Sequence, residues 1–272
     1  MNSPKMTSCY CCERKATGVE HIPPQSFFPK GQRENLITVP SCDNHNQNKS
    51  KEDEYVRAIL LSSIRADDKP HLTPLKQANS RALRYASERV CSRIPADSWG
   101  EVAEILERNR DDQIGGLLLI EEIERRGIAK TGLLGLLAMD LRRETVKDSS
   151  GREVETVSFV YNRDRLYRFI RLMARGLFFL EMNVVWRHPV KIIPISFLKE
   201  DISELEKSIS DFYLANFSKE DSKGSNKDIF YYDIARHVDE ETGALEQIVV
   251  SICLFDTYIF ISEFPMERNS TE

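Results

Sequence analysis

The chain of 272 residues has no apolar run long enough to cross a bilayer, few histidines and no excess of positive charge. A membrane-spanning helix needs about 20 mostly apolar residues, so we expect no membrane partner. The first twelve residues, MNSPKMTSCYCC, lack the apolar stretch of a secretory signal, which predicts a cytoplasmic protein. A net charge of −5 excludes a protein that is basic over its whole surface.

The charge is unevenly distributed along the chain. Residues 1–51 carry seven Lys/Arg and four Asp/Glu, a net charge of +3. Residues 201–272 carry six Lys/Arg and sixteen Asp/Glu, a net charge of −10. A polyanion is therefore expected to bind the N-terminal two thirds, because the acidic C-terminal region would repel it. We expect that acidic region to meet a protein partner.

Composition and periodicity predict an α+β fold in three regions. Residues 1–65 are rich in Cys, Pro, Asn and Ser near their start, which is typical of small irregular structure that needs an internal staple. Residues 66–150 are predicted to be a helical region. Residues 151–272 are predicted to form an α+β C-terminal domain, an antiparallel sheet with an amphipathic helix, that serves substrate, partner or regulation.

Individual elements follow from the hydrophobic pattern. Leu166, Phe169, Ile170, Met173 and Leu177 form an apolar stripe at helical spacing in RDRLYRFIRLMARGLFFLE. The segment LEQIVVSICLFDTYIFISEF is predicted to be a hairpin, or one long bent strand. Further helices are predicted at 52–66, 73–94, 98–110 and 133–145, and further strands at 190–198 and 229–237.

Most of the cysteines lie in one short N-terminal stretch with metal-ligand spacing. Cys9 and Cys12 are spaced C-x2-C, and Cys42 and His45 are spaced C-x2-H. Two such tight turns can direct three thiolates and one imidazole at a single tetrahedral zinc. Cys11 is an alternative to Cys9 or Cys12 as a ligand, although its spacing makes a poorer turn. The sequence therefore predicts a structural zinc in this stretch.

Further motifs lie between and beside these ligand pairs. In order, the chain reads CYCC at 9–12, EHIPP at 20–24, NL at 35–36 and CDNHNQNK at 42–49. This order resembles the HNH nuclease family, the ββα-metal fold, in its zinc-knuckle subgroup. The resemblance covers about residues 9–50 only, and it makes residues 1–65 a zinc-containing HNH module.

The resemblance implies a role for each matched position. His21 is expected to be the general base, and Glu20 and Asn46 are expected to bind one catalytic Mg²⁺ or Mn²⁺ ion. Asn35 is expected to hold the loop that carries His21. Lys49 is expected to contact a phosphate of the nucleic acid.

The sequence departs from the family pattern at two of these positions. The family usually has Asp where this chain has Glu20, and many members have His where this chain has Asn46, which makes it an HNN-type variant. His45 falls on the position of the last zinc cysteine. A competing alignment makes His45 a ligand of the catalytic metal and leaves the zinc with three ligands.

Arginines outside the module offer a further candidate contact with nucleic acid. Arg168, Arg171 and Arg175 share a helix face opposite the apolar stripe, where they can follow a phosphate backbone or form an ordinary solvated face. The expected function is a metal-dependent endonuclease that hydrolyses phosphodiester bonds, in DNA rather than RNA, in a setting such as restriction or phage defence. The alternative is a non-catalytic zinc-knuckle module that binds nucleic acid or protein.

Overall fold

The computed structural model describes residues 8–12, 14–46, 50–62, 69–92, 94–108, 122–123, 125–128, 139–147, 151–195 and 204–266. It is an α+β structure with a C-terminal antiparallel sheet, as the sequence predicts. The helices are α1 Ser50–Leu61, α2 Thr73–Cys91, α3 Trp99–Arg108, α4 Arg163–Met182 and α5 Glu204–Ala215. The strands are β1 Gly18–His21, β2 Thr38–Ser41, β3 Met139–Lys147, β4 Glu153–Val160, β5 Lys191–Pro194, β6 Lys223–Asn226, β7 Phe230–Val238, β8 Leu245–Leu254 and β9 Tyr258–Pro265.

The chain packs as two compact units. The first unit joins residues 1–53 to residues 164–272, and the second unit is residues 54–163. In sequence, the second unit is therefore an insertion within the first. The three regions predicted from composition follow chain order instead, and that division stays a prediction.

The first unit contains a five-stranded antiparallel sheet in the order β5-β9-β8-β7-β6. Strands β8 and β9 form a tight hairpin around residues 255–257, so the predicted hairpin is confirmed and the long bent strand is wrong. The turn uses Phe255 and Asp256 at positive φ, which a short reversal between two twisted strands requires. Buried aliphatic and aromatic side chains of β8 and β9 make this sheet the main apolar surface of the unit.

Helix α4 supplies the apolar stripe that the sequence predicts. Leu166, Phe169, Ile170, Met173 and Leu177 are all buried. Phe178, further along the same helix, stacks on Phe264 of β9 with ring centroids 4.7 Å apart. The stripe therefore forms the core of the first unit together with the sheet.

A short 3-10 helix, Gln25–Phe27, joins the N-terminal hairpin to this core. The ring of Phe27 stacks on Phe169 of α4 at 5.2 Å and on Phe255 of the β8–β9 turn at 5.5 Å. Phe27 is completely buried. Because aromatic rings of this size bury a large apolar area, the hairpin and the C-terminal sheet share one hydrophobic core.

Gly176 of α4 lets the helix approach the N-terminal hairpin closely. A Cβ placed on Gly176 would lie 2.0 Å from Cδ1 of Ile22 and 3.6 Å from Cγ2 of Val39. Ile22 and Val39 are both buried. Glycine is therefore required by the space available and not by the backbone dihedral angles.

The second unit contains α2, α3 and the β3–β4 hairpin, and one of its elements differs from the sequence prediction. A helix is predicted at 133–145; residues 133–138 lie outside the described part of the chain, and over the remainder β3 occupies Met139–Lys147 and pairs antiparallel with β4. The apolar pattern of LLGLLAMDL fits both the helical period of about 3.6 residues and the strand period of two residues. Pairing with β4 satisfies the backbone hydrogen bonds of β3 in the strand conformation. The predictions for α2 and α3 are confirmed.

Within the part of the chain that the structure describes, no helix has the length and apolar character needed to cross a membrane.

We predict that Gly176→Ala lowers the free energy of unfolding of the first unit by about 1–3 kcal/mol, because the added methyl group overpacks a buried contact. Urea denaturation followed by tryptophan fluorescence measures this change. The double variant Gly176→Ala/Ile22→Val removes the Cδ1 methyl that the new Cβ meets, so it should recover part of the loss. Gly100→Ala in α3 is the control, since a Cβ there meets nothing within 4 Å. A loss as large for Gly100→Ala, or no recovery in the double variant, would contradict the close packing at Gly176.

Candidate metal centre and adjacent polar site

Two short loops bring the predicted zinc ligands together. In the first loop, the Cys9 backbone N–H donates to the Arg14 carbonyl at 2.7 Å, which closes a tight turn around Cys12. The Tyr10 N–H donates to the Pro40 carbonyl at 2.8 Å and attaches this turn to β2. In the second loop, a 3-10 helix over Asp43–His45 directs the His45 side chain back toward the first loop.

The four ligand atoms have the separations expected of a tetrahedral site. His45 Nδ1 lies 3.5 Å from Cys9 Sγ and 3.4 Å from Cys42 Sγ, and Cys12 Sγ lies 3.7 Å from Cys42 Sγ. Zinc with Zn–S of about 2.3 Å and Zn–N of about 2.0 Å separates two sulfurs by about 3.8 Å and sulfur from nitrogen by about 3.5 Å. All four atoms lie within 4.8 Å of one another, so this zinc knuckle, Cys9, Cys12, Cys42 and His45, could hold a zinc ion.

This geometry bears on the two questions that spacing alone leaves open. Cys11 is not a member of the cluster, and its thiol accepts a hydrogen bond from Nη1 of Arg175 at 3.7 Å. His45 directs Nδ1 at two of the cysteine sulfurs, as a ligand of the knuckle would. Its position favours the zinc over the catalytic metal of the competing alignment.

The thiols of the knuckle differ in acidity. Burial raises the pKa of Cys12 to about 11. Burial also disfavours the Cys42 thiolate, but hydrogen bonds from the His45 backbone N–H and from Cys12 outweigh it, so the pKa of Cys42 is lowered. Zinc binds thiolates, so metal uptake has to displace protons, and affinity is expected to fall as the pH is lowered.

Strand β1 carries the acid and the histidine of the EHIPP motif on opposite faces. Glu20 is only 4% exposed and pairs in register with Val39 of β2, whereas His21 is half-buried. Successive side chains of a strand alternate between its faces. The sequence order of the two residues did not reveal which one faces the interior.

His21 is held as a neutral imidazole by its surroundings. Burial lowers the pKa of His21 below its usual value of 6.5. The Gln25 side chain places its Nε2 3.1 Å from Nε2 of His21. An amide nitrogen only donates, so His21 Nε2 accepts this hydrogen bond and the ring proton resides on Nδ1. The sequence analysis did not identify Gln25, although its position four residues after His21, beyond a Pro pair, is a usable signal.

Asn46 links the zinc knuckle to the strand that carries these two residues. It directly follows His45, and its side-chain Nδ2 donates to the Val19 carbonyl at 2.9 Å. The other polar atom of this amide is Oδ1, an oxygen of the kind that binds hard metal ions. The structure thus brings Asn46 to the backbone next to Glu20, 26 residues earlier in the chain.

Asn35 occupies a different setting from the other predicted residues. It is exposed and adopts a left-handed backbone with φ of 54°, which asparagine tolerates better than most residues. It lines an open polar pocket with Gln32, Glu34 and residues 226–228. The Gln32 side chain accepts a hydrogen bond from Asn226 Nδ2 at 2.8 Å, so this loop is attached to the β6–β7 turn. Lys49 lies outside the described residues.

The three α4 arginines that were candidates for nucleic-acid contact differ in exposure. Arg168 and Arg171 are exposed. Arg175 is half-buried, and besides Cys11 it contacts the His188 carbonyl through Nη2 at 3.0 Å. Helical spacing placed all three on one face but did not show that the Cys9–Cys12 loop contacts the last of them.

We predict that the protein binds about one zinc per chain and that His45→Ala and Cys42→Ser each lose it, because three ligands hold zinc more weakly than four. Elemental analysis after dialysis against a weak chelator measures the zinc content. Cys253→Ser is the matched control and should keep its zinc, since Cys253 lies on β8, outside the cluster. Equal zinc loss in all three variants, or a zinc-free wild type that folds normally, would contradict this assignment.

We predict a pKa below 6.5 for His21, measured by NMR titration of its ring protons, because burial disfavours the imidazolium. The unfolded chain takes up this proton at the ordinary pKa of 6.5, so the stability due to neutral His21 is present above pH 6.5 and is lost as the pH falls from 6.5 through the lower pKa of the folded protein. The chain unfolded in urea is the reference. A pKa of 6.5 or above for His21 in the folded protein would contradict the effect of burial.

The chain was compared with family models, curated proteins and solved structures, and none of them matches it.

Proposed function

We propose that the protein is a metal-dependent endonuclease of the HNH type that hydrolyses phosphodiester bonds in nucleic acid, in DNA rather than RNA. One observation carries this proposal. The Asn46 side chain bonds to the Val19 carbonyl at 2.9 Å and so joins the end of the zinc knuckle to the strand of Glu20 and His21. Asn46, from a distant part of the sequence, thereby lies beside the strand that carries the proposed base and the proposed acidic ligand.

His21 is the proposed general base. Its lowered pKa keeps it neutral and able to take a proton near pH 7. The nitrogen that would accept the proton is Nε2, because Nδ1 already carries one. In the proposed reaction the attacking water takes the place of the Gln25 amide at Nε2.

Glu20 and Asn46 are the proposed ligands for a divalent ion such as Mg²⁺ or Mn²⁺. Carboxylate and amide oxygens suit a hard cation, which when bound would stabilise negative charge on the scissile phosphate and the leaving oxygen.

The buried hydroxyl of Tyr10 supports an ion or ordered water near Glu20. Tyr10 is fully buried, and its Oη has no hydrogen-bond partner in the described part of the chain. Burial raises the pKa of Tyr10 well above its usual range, and the charges of Cys11 and Glu20 raise it further. A buried polar atom of this kind is explained when an ion or water binds beside it.

The remaining residues suggest how nucleic acid would bind. Arg168 and Arg171, exposed on α4, are proposed to contact phosphates, with Lys49 as a further contact. Asn35 is proposed to set the loop that follows the Gln25–Phe27 turn. The acidic C-terminal region is proposed to meet a protein partner, in a cytoplasmic role such as restriction or phage defence.

A non-catalytic zinc module that binds nucleic acid or protein is the second candidate. The contact that favours it is the Gln25 amide on His21 Nε2, which occupies the lone pair that a base needs. The burial of Glu20 favours it as well, because an ion would have to reach a carboxylate that is 4% exposed.

We predict that the purified protein cleaves plasmid DNA in Mg²⁺ or Mn²⁺ and not in EDTA, and that His21→Ala reduces the rate by about 100-fold or more, the usual contribution of a general base. Gel electrophoresis with timed samples measures the rate. The matched control is His237→Ala, which removes an exposed imidazole from β7 and should cleave like the wild type. Cleavage that survives His21→Ala would refute the role of His21. A zinc-loaded wild type that binds DNA or RNA but cuts neither would favour the second candidate.

A further inference from the structure

Arg175 reaches from α4 to the zinc knuckle across a large separation in sequence. Its Nη1 lies 3.7 Å from the Sγ of Cys11, the residue directly before ligand Cys12. Its Nη2 donates to the His188 carbonyl at 3.0 Å. The next residue of the helix is Gly176, which allows the close approach of the N-terminal hairpin. The guanidinium is therefore held between the knuckle loop and the segment that follows α4.

The charge of the proposed metal centre explains why a cation is held there. Zinc with three thiolates and one imidazole carries a net charge of −1. Two of the thiolates belong to buried residues, Cys9 and Cys42. A buried net charge is costly unless an opposite charge lies close to it, and a guanidinium keeps its charge at every physiological pH.

The hydrogen bonding of Arg175 also supports an electrostatic role at the knuckle. Its Nε is buried and has no hydrogen-bond partner within the described residues. A side chain positioned only for hydrogen bonds would not leave a buried donor unsatisfied, because that donor loses its hydration without compensation. An electrostatic role at the knuckle offsets the cost.

We propose that Arg175 is the outer-sphere positioning residue of the zinc centre. It balances the negative charge of the thiolate cluster, and it holds the Cys9–Cys12 turn through Cys11. Retention of the metal thereby depends on α4. This inference rests on the zinc assignment and is independent of nuclease activity.

The test measures zinc release from the full chain purified with its zinc. Excess EDTA and a colorimetric zinc indicator give the release rate for the wild type and for Arg175→Met, which keeps the length of the side chain and removes its charge. We expect release about 10- to 100-fold faster, the range in which outer-sphere contacts affect metal affinity. Arg171→Met, one turn away on the exposed face, is the control and should release zinc at the wild-type rate.

A second pair of variants separates the effect of the Arg175 charge from the effect of its packing. This pair also tests the proposal if Arg175→Met does not fold. Arg175→Lys keeps the charge, and Arg175→Gln keeps hydrogen-bonding capacity without it, so Gln should release zinc faster than Lys. Equal release by Lys and Gln, or by Arg175→Met and Arg171→Met, would overturn the proposal. A wild type without zinc would instead refute the zinc assignment, so the two failures are distinguishable.

Discussion

The packing of the β1–β2 hairpin against helix α4 is the constraint on which the rest of the first unit depends. Each strand of the hairpin has only four residues, and an isolated two-stranded hairpin is marginal in water. One side of the hairpin is closed by the zinc knuckle. The other side packs on α4 where Gly176 leaves room for Ile22, and Phe27 extends the contact into the C-terminal core.

The same packing orients the candidate site. Because Ile22 and Val39 face α4, the register of β1 is set, and a slip by one residue would turn every side chain to the other face. Glu20 is buried in this register while His21 stays accessible to solvent. The roles proposed for the two residues, ion ligand and base, thus need the hairpin, the knuckle and α4 together.

The C-terminal half of the chain is structurally part of the N-terminal module. Residues 164–272 pack with residues 1–53 as one unit, and residues 54–163 are inserted between them in sequence. Phe27, which follows strand β1, stacks on Phe169 of α4 and on Phe255 of the β8–β9 turn, so changes in the sheet are expected to affect the candidate site. The first unit also brings Arg175, 130 residues after His45 in sequence, into contact with Cys11 of the Cys9–Cys12 loop.

Features that depend on short-range spacing could be predicted from the sequence: the knuckle ligands, helix α4 and the β8–β9 hairpin. The four knuckle ligands were recognisable because two C-x2-C/H turns can hold one ion. Leu166, Phe169, Ile170, Met173 and Leu177 predicted α4, because an apolar period of about 3.6 residues has one structural meaning in a segment of that length. The β8–β9 hairpin followed from two β-branched runs around a turn, although one long bent strand fitted them as well.

The elements that pack against each helix and strand could be identified only from the tertiary structure. A local pattern gives the period of an element but not its partner. The sequence of residues 139–145 therefore predicts a helix, whereas the structure shows a strand paired with β4. The sequence around Arg175 is also compatible with a solvated arginine, whereas the structure shows a contact with Cys11 of the Cys9–Cys12 loop. The burial of Glu20 and the close packing at Gly176 depend on residues far apart in sequence. Their physical cause is the packing of the hairpin on α4, which no stretch of the sequence contains.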